Sequence, residues 1–235
     1  MTAIQVRVVV IDSGVHAEHP HVNGVAGGVG IDSAGQEHDD YVDRLGHGTA
    51  VTAVIREKAP AAEILSVKVF DRELAATGAA LVAAFEWALR QGAHIVNLSL
   101  GTLNTDHEAA LASAVKKLHT AGAVVVAAGP HDGARWLPGA LPGVWGVALD
   151  WSLSRDECLA AISDDGPVRL RACGFPRPIP GVPAERNLKG LSFAVANATG
   201  LLAELLEHER GQGSAIDRLT RAIRGGSGRL RSVST

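Results

Sequence analysis

The chain has 235 residues, of which 46% are hydrophobic, and carries a formal net charge of −3 at neutral pH. This length and apolar content predict one large domain with a well-filled core, over residues 1–224. The basic side chains are dispersed, which excludes the charged surface of a nucleic-acid-binding protein, and no apolar run has the length of a membrane span. Residues 225–235 are rich in Gly, Ser and Arg, and this composition predicts a flexible basic tail.

The start of the chain and its cysteines indicate the cellular compartment in which the protein is found. A strand begins within a few residues of Met1, which leaves no room for a targeting leader. The two cysteines are Cys158 and Cys173, and in a reducing compartment we expect both to stay free thiols. These observations predict a cytoplasmic protein.

Strands and helices alternate through the first half of the chain. Residues 5–11 are rich in β-branched side chains, which is typical of a strand buried on both faces. A helix begins in the motif Gly46-His47-Gly48 and ends near Lys58. The same reasoning predicts further strands at 64–70, 94–99 and 123–128, and helices at 77–91 and 107–120. Such alternation predicts a mostly parallel sheet covered by helices on both faces, with functional loops at the carboxyl ends of its strands.

The pattern loosens after residue 129. Strands are predicted at 144–149 and 168–172, and helices at 190–209 and 215–224. Residues 175–183 are rich in proline, which cannot donate to a strand ladder, so we expect a surface loop. The glycines at 24, 27, 28 and 30 do not lead from a strand into a helix as a dinucleotide site requires, so we interpret them as loop glycines.

Ser192 begins the long apolar helix predicted at 190–209. The preceding Gly190 permits a tight entry, and the first N–H groups of a helix have no intrahelical acceptor. Together with the positive end of the helix dipole, these donors can hold an oxyanion. Considered alone, Ser192 also fits an ordinary helix cap.

Asp12, His47 and Ser192 together supply an acid, a base and a nucleophile. A serine hydroxyl needs an imidazole to take its proton, and a carboxylate must hold that imidazole in the right tautomer. Taken singly, Asp12 fits a turn cap and His47 a polar residue at a helix start. The three motifs in one chain predict a nucleophilic hydrolase.

The order of these motifs resembles that of the subtilisin-like serine peptidases. The resemblance extends to His19-Pro20, to the run Asn97-Leu98-Ser99-Leu100-Gly101 and to Leu137-Pro138-Gly139. It implies a three-layer α/β fold with a mostly parallel central sheet and helices on both faces. It also implies a serine endopeptidase without cofactor, in which Ser192 forms the acyl-enzyme, His47 is the general base and acid, and Asp12 orients His47.

The resemblance further implies a peptide-binding cleft beside the triad. An extended substrate would pair as an added strand with Ser99, Leu100 and Gly101. The pocket for the residue before the scissile bond would be walled by Ala127, Ala128 and Gly129. Ordinary strand ends are the alternative interpretation of both segments.

The chain departs from the family at Pro130, where the family has an asparagine that donates to the oxyanion. Loss of that donor costs about a hundred- to a thousand-fold in turnover, a figure measured in a member of this same family. The expected oxyanion donors are therefore Ser192 and the neighbouring His131, for which a solvated loop histidine is the alternative.

This departure and the absence of an inhibitory segment before the first strand predict narrow specificity, for example processing of a ribosomally made precursor peptide. The alternative is a weak or inactive relative that binds a peptide or a protein partner. Acyl transfer to an amine, and a partner chain that completes the site, also stay open.

A metal site is not predicted. Residue types that bind metals occur in two loops, but their spacing is irregular. These residues are His16, His19, His21, His38, Asp39 and Asp40.

Overall fold

The computed structural model describes residues 5–70, 73, 75–131, 133–162, 168–226 and 230–232. Within these residues the strands are β1 (Arg7–Asp12), β2 (Gly27–Ile31), β3 (Glu37–His38), β4 (Glu63–Lys68), β5 (Ile95–Leu98), β6 (Val124–Ala128), β7 (Val144–Leu149), β8 (Cys158–Ala161), β9 (Arg169–Ala172) and β10 (Leu230–Ser232). The α-helices are α1 (His47–Lys58), α2 (Gly78–Arg90), α3 (Glu108–Thr120), α4 (Leu191–His208) and α5 (Ala215–Arg224).

All the described strands belong to one sheet, in the order β10-β8-β9-β7-β6-β5-β1-β4-β2-β3. Strands β2 and β3 pair antiparallel, as do β8 and β9, and the other recorded pairings are parallel. The chain leaves the central strand β1 toward one edge and returns to its other side with β5. Such a change of direction opens a crevice at the carboxyl ends of the strands, where α/β proteins bind ligands.

Alternating side chains of β1 enter two separate cores. Val8 and Val10 pack with α1, α4 and α5 on one face of the sheet, whereas Val9 and Ile11 pack with α2 and α3 on the other. All four are fully buried. Each side chain of this kind stabilises the fold by about 1.5–3 kcal/mol when it leaves water. The three-layer α/β arrangement predicted from the sequence is therefore confirmed.

Helices α1 and α4 pack against each other at a glycine. A Cβ placed on Gly200 would lie 3.0 Å from Cβ of Lys58 and 3.3 Å from Cα of Ile55, so a side chain at this position would require Lys58 or α1 to shift. The last turn of α1 therefore lies directly on the middle of α4.

Most predicted elements are confirmed within a residue or two. The prediction of loop glycines is correct for Gly24 but wrong for the other three. Gly27, Gly28 and Gly30 lie in β2 and not in a loop. A Cβ at Gly30 would lie 2.0 Å from the ring of His38, so glycine lets the neighbouring hairpin strand fold close over β2.

The tail prediction is wrong at Leu230–Ser232. These residues form β10, which pairs with β8, and Leu230 is only 2% exposed. Burial of that one leucine attaches the segment to the sheet edge. Residues 227–229 and 233–235, which the tail prediction also covered, lie outside the described residues.

Residues 175–183 contain no strand, as their prolines predict. Both cysteines are free and buried, and burial raises the pKa of the Cys158 thiol to about 12. Across the part of the chain that the structure describes, no helix is both long and apolar enough to cross a bilayer.

Candidate active site

The carboxylate of Asp12 lies at the carboxyl end of the central strand and contacts the imidazole of His47. The two atoms Asp12 Oδ1 and His47 Nδ1 are 2.7 Å apart, and Asp12 is 1% exposed. The backbone N–H of Ser13 also donates to Oδ1, at 2.8 Å. A carboxylate so placed holds the proton of His47 on Nδ1 and leaves Nε2 free to accept one.

A glycine brings α1 close enough for this contact. A Cβ on Gly48 would lie 2.2 Å from the carbonyl oxygen of Gly14, so any side chain there would lift the first turn of α1 away from the end of β1. The glycine that follows His47 thus serves the close approach of the helix to Asp12.

Asp43 holds the loop that leads into α1. Its Oδ1 accepts hydrogen bonds from Ser13 Oγ and from the N–H groups of Leu45 and Gly46, at 2.8–2.9 Å. Its Oδ2 accepts from both the N–H and the hydroxyl of Thr49, at 2.8 and 2.6 Å. Although burial opposes ionisation, these donors lower the pKa of Asp43. The sequence analysis missed this residue, and an acidic side chain just before a predicted helix was the available signal.

The charge state of His47 depends on both carboxylates. Burial by itself lowers the pKa of His47, but the hydrogen bond to Asp12 and the negative charges of Asp12 and Asp43 outweigh that effect. The pKa of His47 consequently lies above its ordinary value. The imidazolium that forms when His47 takes a proton is therefore stabilised in place.

Ser192 lies in the first turn of α4, beyond a glycine with unusual geometry. Gly190 has a φ of 143°, which side chains rarely permit, and its N–H donates to the carbonyl of Gly174 at 2.9 Å. The Ser192 hydroxyl donates to the carbonyl oxygen of Ser99 at 3.1 Å. Among the described residues no hydrogen bond joins Ser192 to His47, so the hydroxyl must rotate to meet the imidazole.

The aromatic ring of Phe193, the residue after Ser192, shows how near α4 comes to His47. The ring centroids of His47 and Phe193 are 5.9 Å apart. Since Phe193 directly follows Ser192, the structure brings the starts of α1 and α4 together at one end of the sheet. Asp12 and His47, predicted from separate motifs, are in contact, and the first turn of α4, which carries Ser192, lies close to His47.

Buried polar side chains connect Ser192 to the interior. Thr199 Oγ1 donates to Asn97 Oδ1 at 2.9 Å, and Asn97 Nδ2 donates to Ser99 Oγ at 3.0 Å. Ser99 Oγ in turn donates to the carbonyl oxygen of Ser192 at 3.3 Å. Asn97 and Thr199 are fully buried, so this chain of bonds fixes α4 against β5.

The predicted substrate residues lie at the ends of β5 and β6, and one of them, Ser99, contacts Ser192. Ser99, Leu100 and Gly101 continue β5, and the next residue pairs with Leu137 as a short bridge. Ala127 and Ala128 are buried in the sheet, at 0% and 4% exposure. Any contact of these two alanines with a substrate would therefore use the main chain, and the pocket assignment stays a prediction.

His131 contacts other groups than Ser192. Its Nδ1 lies 3.1 Å from the carbonyl oxygen of Gly129, and its ring stacks on Trp136 with centroids 4.5 Å apart. Because a carbonyl only accepts, Nδ1 carries the proton in this contact, and Nε2 of a neutral ring is left as an acceptor. Donation to an oxyanion from Nε2 requires the doubly protonated ring.

The histidines considered for a metal fall into two places. His16, His19 and His21 line one cavity, and His38 and Asp40 line another. Over the described part of the chain, no three His, Cys, Asp or Glu side chains are grouped so as to hold an ion.

Comparison with solved structures agrees with this architecture. A lanthipeptide protease superposes with a TM-score of 0.70 at 17% identity, covering 94% of this chain and 79% of that one. The prenylagaramide maturation protease PagA gives a TM-score of 0.65 at 24% identity, covering 94% and 82%. At these identities the likeness shows the fold.

Sequence comparison finds relatives over most of the chain. The chain is 30% identical over 217 residues to a thermostable alkaline protease of Halalkalibacterium halodurans, covering 84% of this chain and 55% of that protein. It is 27% identical over 215 residues to subtilisin NAT of Bacillus subtilis subsp. natto, covering 85% and 53%. The chain thus spans about half the length of these relatives. Because the model of the subtilase family matches residues 4–149, a range that includes both Asp12 and His47, the chain belongs to the subtilase family.

Proposed function

We propose that the protein is a serine endopeptidase that cleaves peptide bonds through an acyl-enzyme on Ser192. The observation that carries the proposal is the buried Asp12–His47 hydrogen bond of 2.7 Å, at the cleft where α4 presents Ser192. The proposal is supported by membership of the subtilase family and by the sequence similarity to the thermostable alkaline protease and to subtilisin NAT.

The reaction begins with a rotation of the Ser192 hydroxyl from the Ser99 carbonyl toward Nε2 of His47. His47 takes the proton while Oγ attacks the substrate carbonyl carbon, and Asp12 stabilises the resulting imidazolium. The imidazolium then gives its proton to the leaving amine, and the acyl-enzyme remains. Water, activated in the same way by His47, releases the acid and restores Ser192.

The backbone N–H of Ser192 supplies one donor to the oxyanion, since it lies in the first turn of α4 and has no intrahelical acceptor. Pro130 supplies none from its side chain. His131 can serve as the second donor only in the doubly protonated form, because its Nδ1–H is directed at Gly129. A single fixed donor makes acylation slow, and a partner protein that adds a donor would accelerate it.

We further propose a narrow substrate range, such as one site in a ribosomally made precursor peptide. Slow acylation favours substrates that are held firmly by contacts away from the scissile bond. Two solved structures with this fold are described as a lanthipeptide protease and a prenylagaramide maturation protease, which supports this choice. The free, buried cysteines fit a cytoplasmic location, which fractionation of the producing cells would test.

A fluorophosphonate probe tests the nucleophile. The purified protein is incubated with the probe beside Ser192→Ala, and the covalent adduct is measured by intact mass. We expect one adduct on the wild type and none on the variant. A folded wild-type protein that stays unlabelled would contradict the proposal.

The second candidate is a peptide-binding relative with a silent site. Pro130 and the contact of Ser192 with the Ser99 carbonyl favour it. Binding of a peptide that is unaffected by Ser192→Ala, without any labelling, would decide for this candidate.

A further inference from the structure

A cavity of about 310 Å³ lies between the start of α1 and the loop before α4, and we call it the histidine pocket. Three segments that are distant in sequence form it: the loop after β1, the first half of α1, and the loop before α4. Its walls include His16, His19, Ala50, Ala53, Ile179 and Leu188.

Two residues that line the pocket lie close to catalytic residues along the chain. Gly46, which lines it, directly precedes His47, and Leu188 shortly precedes Ser192. Its rim is fixed, because the N–H of His16 donates to Thr49 Oγ1 at 3.0 Å and Thr49 is bound to Asp43. A chain that leaves Ser192 on this side therefore enters a preformed cavity.

The pocket lies on the opposite side of the triad from the predicted substrate strand. Leu100 packs against the core formed with α2 and α3, whereas the floor of the pocket is α1, on the other face of the sheet. A peptide paired with residues 99–101 and attacked by Ser192 would cross the triad toward α1. The pocket is thus placed on the side of the leaving amine.

The lining is apolar on two walls. Ala50 and Ala53 are short side chains that leave space above α1, and Ile179 and Leu188 on the opposite wall are 44% and 54% exposed. Exposed aliphatic side chains that line a cavity gain from an apolar occupant. The volume is near the lower limit of the range of about 300–1,000 Å³ for ligand pockets, which suits one large side chain.

The histidine wall presents aromatic rings. His19 Nδ1 accepts from the N–H of His21 at 3.2 Å, which assigns the proton of a neutral ring to Nε2. Burial and the nearby Arg177 lower the pKa of His21. Arg177 itself donates to the His21 carbonyl and lies 3.9 Å from a carboxylate oxygen of Glu57. The rings of His19 and His21 meet edge to face at 5.3 Å, an arrangement that offers an aromatic surface.

We infer that the histidine pocket binds a large apolar or aromatic side chain of the substrate on the leaving-group side of the scissile bond. This inference rests on the proposed function and specifies its substrate class. It adds a determinant of specificity on the side of the leaving amine.

Partitioning of the acyl-enzyme tests the inference. An activated ester acylates Ser192, and tripeptide amides then compete with water for the acyl group. The amine attacks the ester carbonyl, a C–N bond forms as the C–Oγ bond breaks, and the amine proton passes through His47 to Ser192 Oγ. Tripeptides with Phe at the first, second or third position are compared with an all-alanine tripeptide.

We expect Phe at one position to raise the aminolysis rate about tenfold or more over alanine. Leu188→Ser removes one apolar wall and Ala50→Leu fills the space above α1, so each should reduce that preference several-fold. Val182→Ser is the matched control, because Val182 is 40% exposed in the same loop but lines a different cavity.

The outcomes separate the two proposals. Normal labelling of Ser192 with no preference for Phe at any position would overturn the inference alone. So would a preference that both pocket variants retain, or one that Val182→Ser removes equally. Failure of the folded wild type to label or acylate would overturn the proposed function, and the substrate assignment with it.

Discussion

Among single residues, His47 has the most closely controlled chemistry. Its imidazole must be neutral at Nε2 to accept the Ser192 proton, and it must be stable as a cation once it has done so. Asp12 contributes through a direct hydrogen bond, and Asp43 through charge and through the loop that it holds. The two carboxylates therefore have separate roles.

The pH dependence of acylation should show this control. The pKa of His47 is raised above the ordinary imidazole value of about 6.5. As the pH falls, His47 is therefore protonated, and lost as a base, at a higher pH than an ordinary histidine. The acid limb of kcat/KM against pH should lie above that value, and Asp43→Asn should move it down. Asp32→Asn, in an exposed loop, is the control. An acid limb that Asp43→Asn leaves in place, in a folded variant, would contradict the role of Asp43.

The missing oxyanion donor can be tested by restoring it. Pro130→Asn offers a side-chain amide at the family's donor position, and we expect acylation to accelerate by about tenfold or more, since such a donor contributes about a hundred- to a thousand-fold. Pro130→Ala removes the ring without adding a donor. Single-turnover rates with one ester substrate would measure both variants. Equal rates for Asn and Ala would show that the position does not face the oxyanion.

At the scale of elements, the contact between α4 and β5 orients the nucleophile. The contact depends on buried hydrogen bonds from Thr199 through Asn97 and Ser99 to the Ser192 carbonyl. A helix held in this way keeps its first turn fixed, so the orientation of Ser192 depends on a residue two turns away.

Thr199→Val keeps the shape of the side chain but leaves Asn97 Oδ1 without its donor. We expect a loss of about 1–3 kcal/mol in the free energy of unfolding and slower labelling of Ser192. Thr52→Val is the matched control, because Thr52 is fully buried and, among the described residues, its hydroxyl has no partner. Chemical denaturation and probe kinetics would measure both. Equal effects of the two substitutions would contradict a specific role for Thr199.

At the scale of the whole molecule, the sheet is covered on both faces but ends in a short strand that comes late in the chain. Leu230 on β10 packs into the core formed with α1, α4 and α5, and β10 pairs with the edge of β8. An uncovered strand edge can pair with another chain. The last residues described therefore contribute to the stability of the whole sheet.

Leu230→Ala should lower the free energy of unfolding by about 2–5 kcal/mol, the usual range for a buried leucine. Leu188→Ala, at a leucine that is 54% exposed, should change it by less than about 0.5 kcal/mol. Urea denaturation of both variants would compare them. A tail that is free of the sheet would give the same small effect at both positions.

The sequence predicts those parts of the molecule that local pattern determines. The β-branched run before Asp12 and the apolar spacing of α2 are enough to place a central strand and a covering helix. Strand β2 was missed because glycine usually weakens strands, and here it serves a close approach that only the folded chain reveals. The histidine pocket was missed for a similar reason, since its walls come from three distant segments.

The glycine contact between α1 and α4 has a consequence for catalysis. His47 begins α1 and Ser192 lies in the first turn of α4, so the distance between the two helix axes also sets the reach between base and nucleophile. Gly200 is buried in the middle of α4, and we expect Gly200→Val to increase the distance between the two helix axes. We expect a folded protein with an intact Asp12–His47 pair but little labelling of Ser192, measured by intact mass beside the imidazole NMR signal. Gly200 would then set the distance between His47 and Ser192. Replacement of Gly200 by alanine, valine and leucine should lower the labelling rate of Ser192 step by step as the side chain grows.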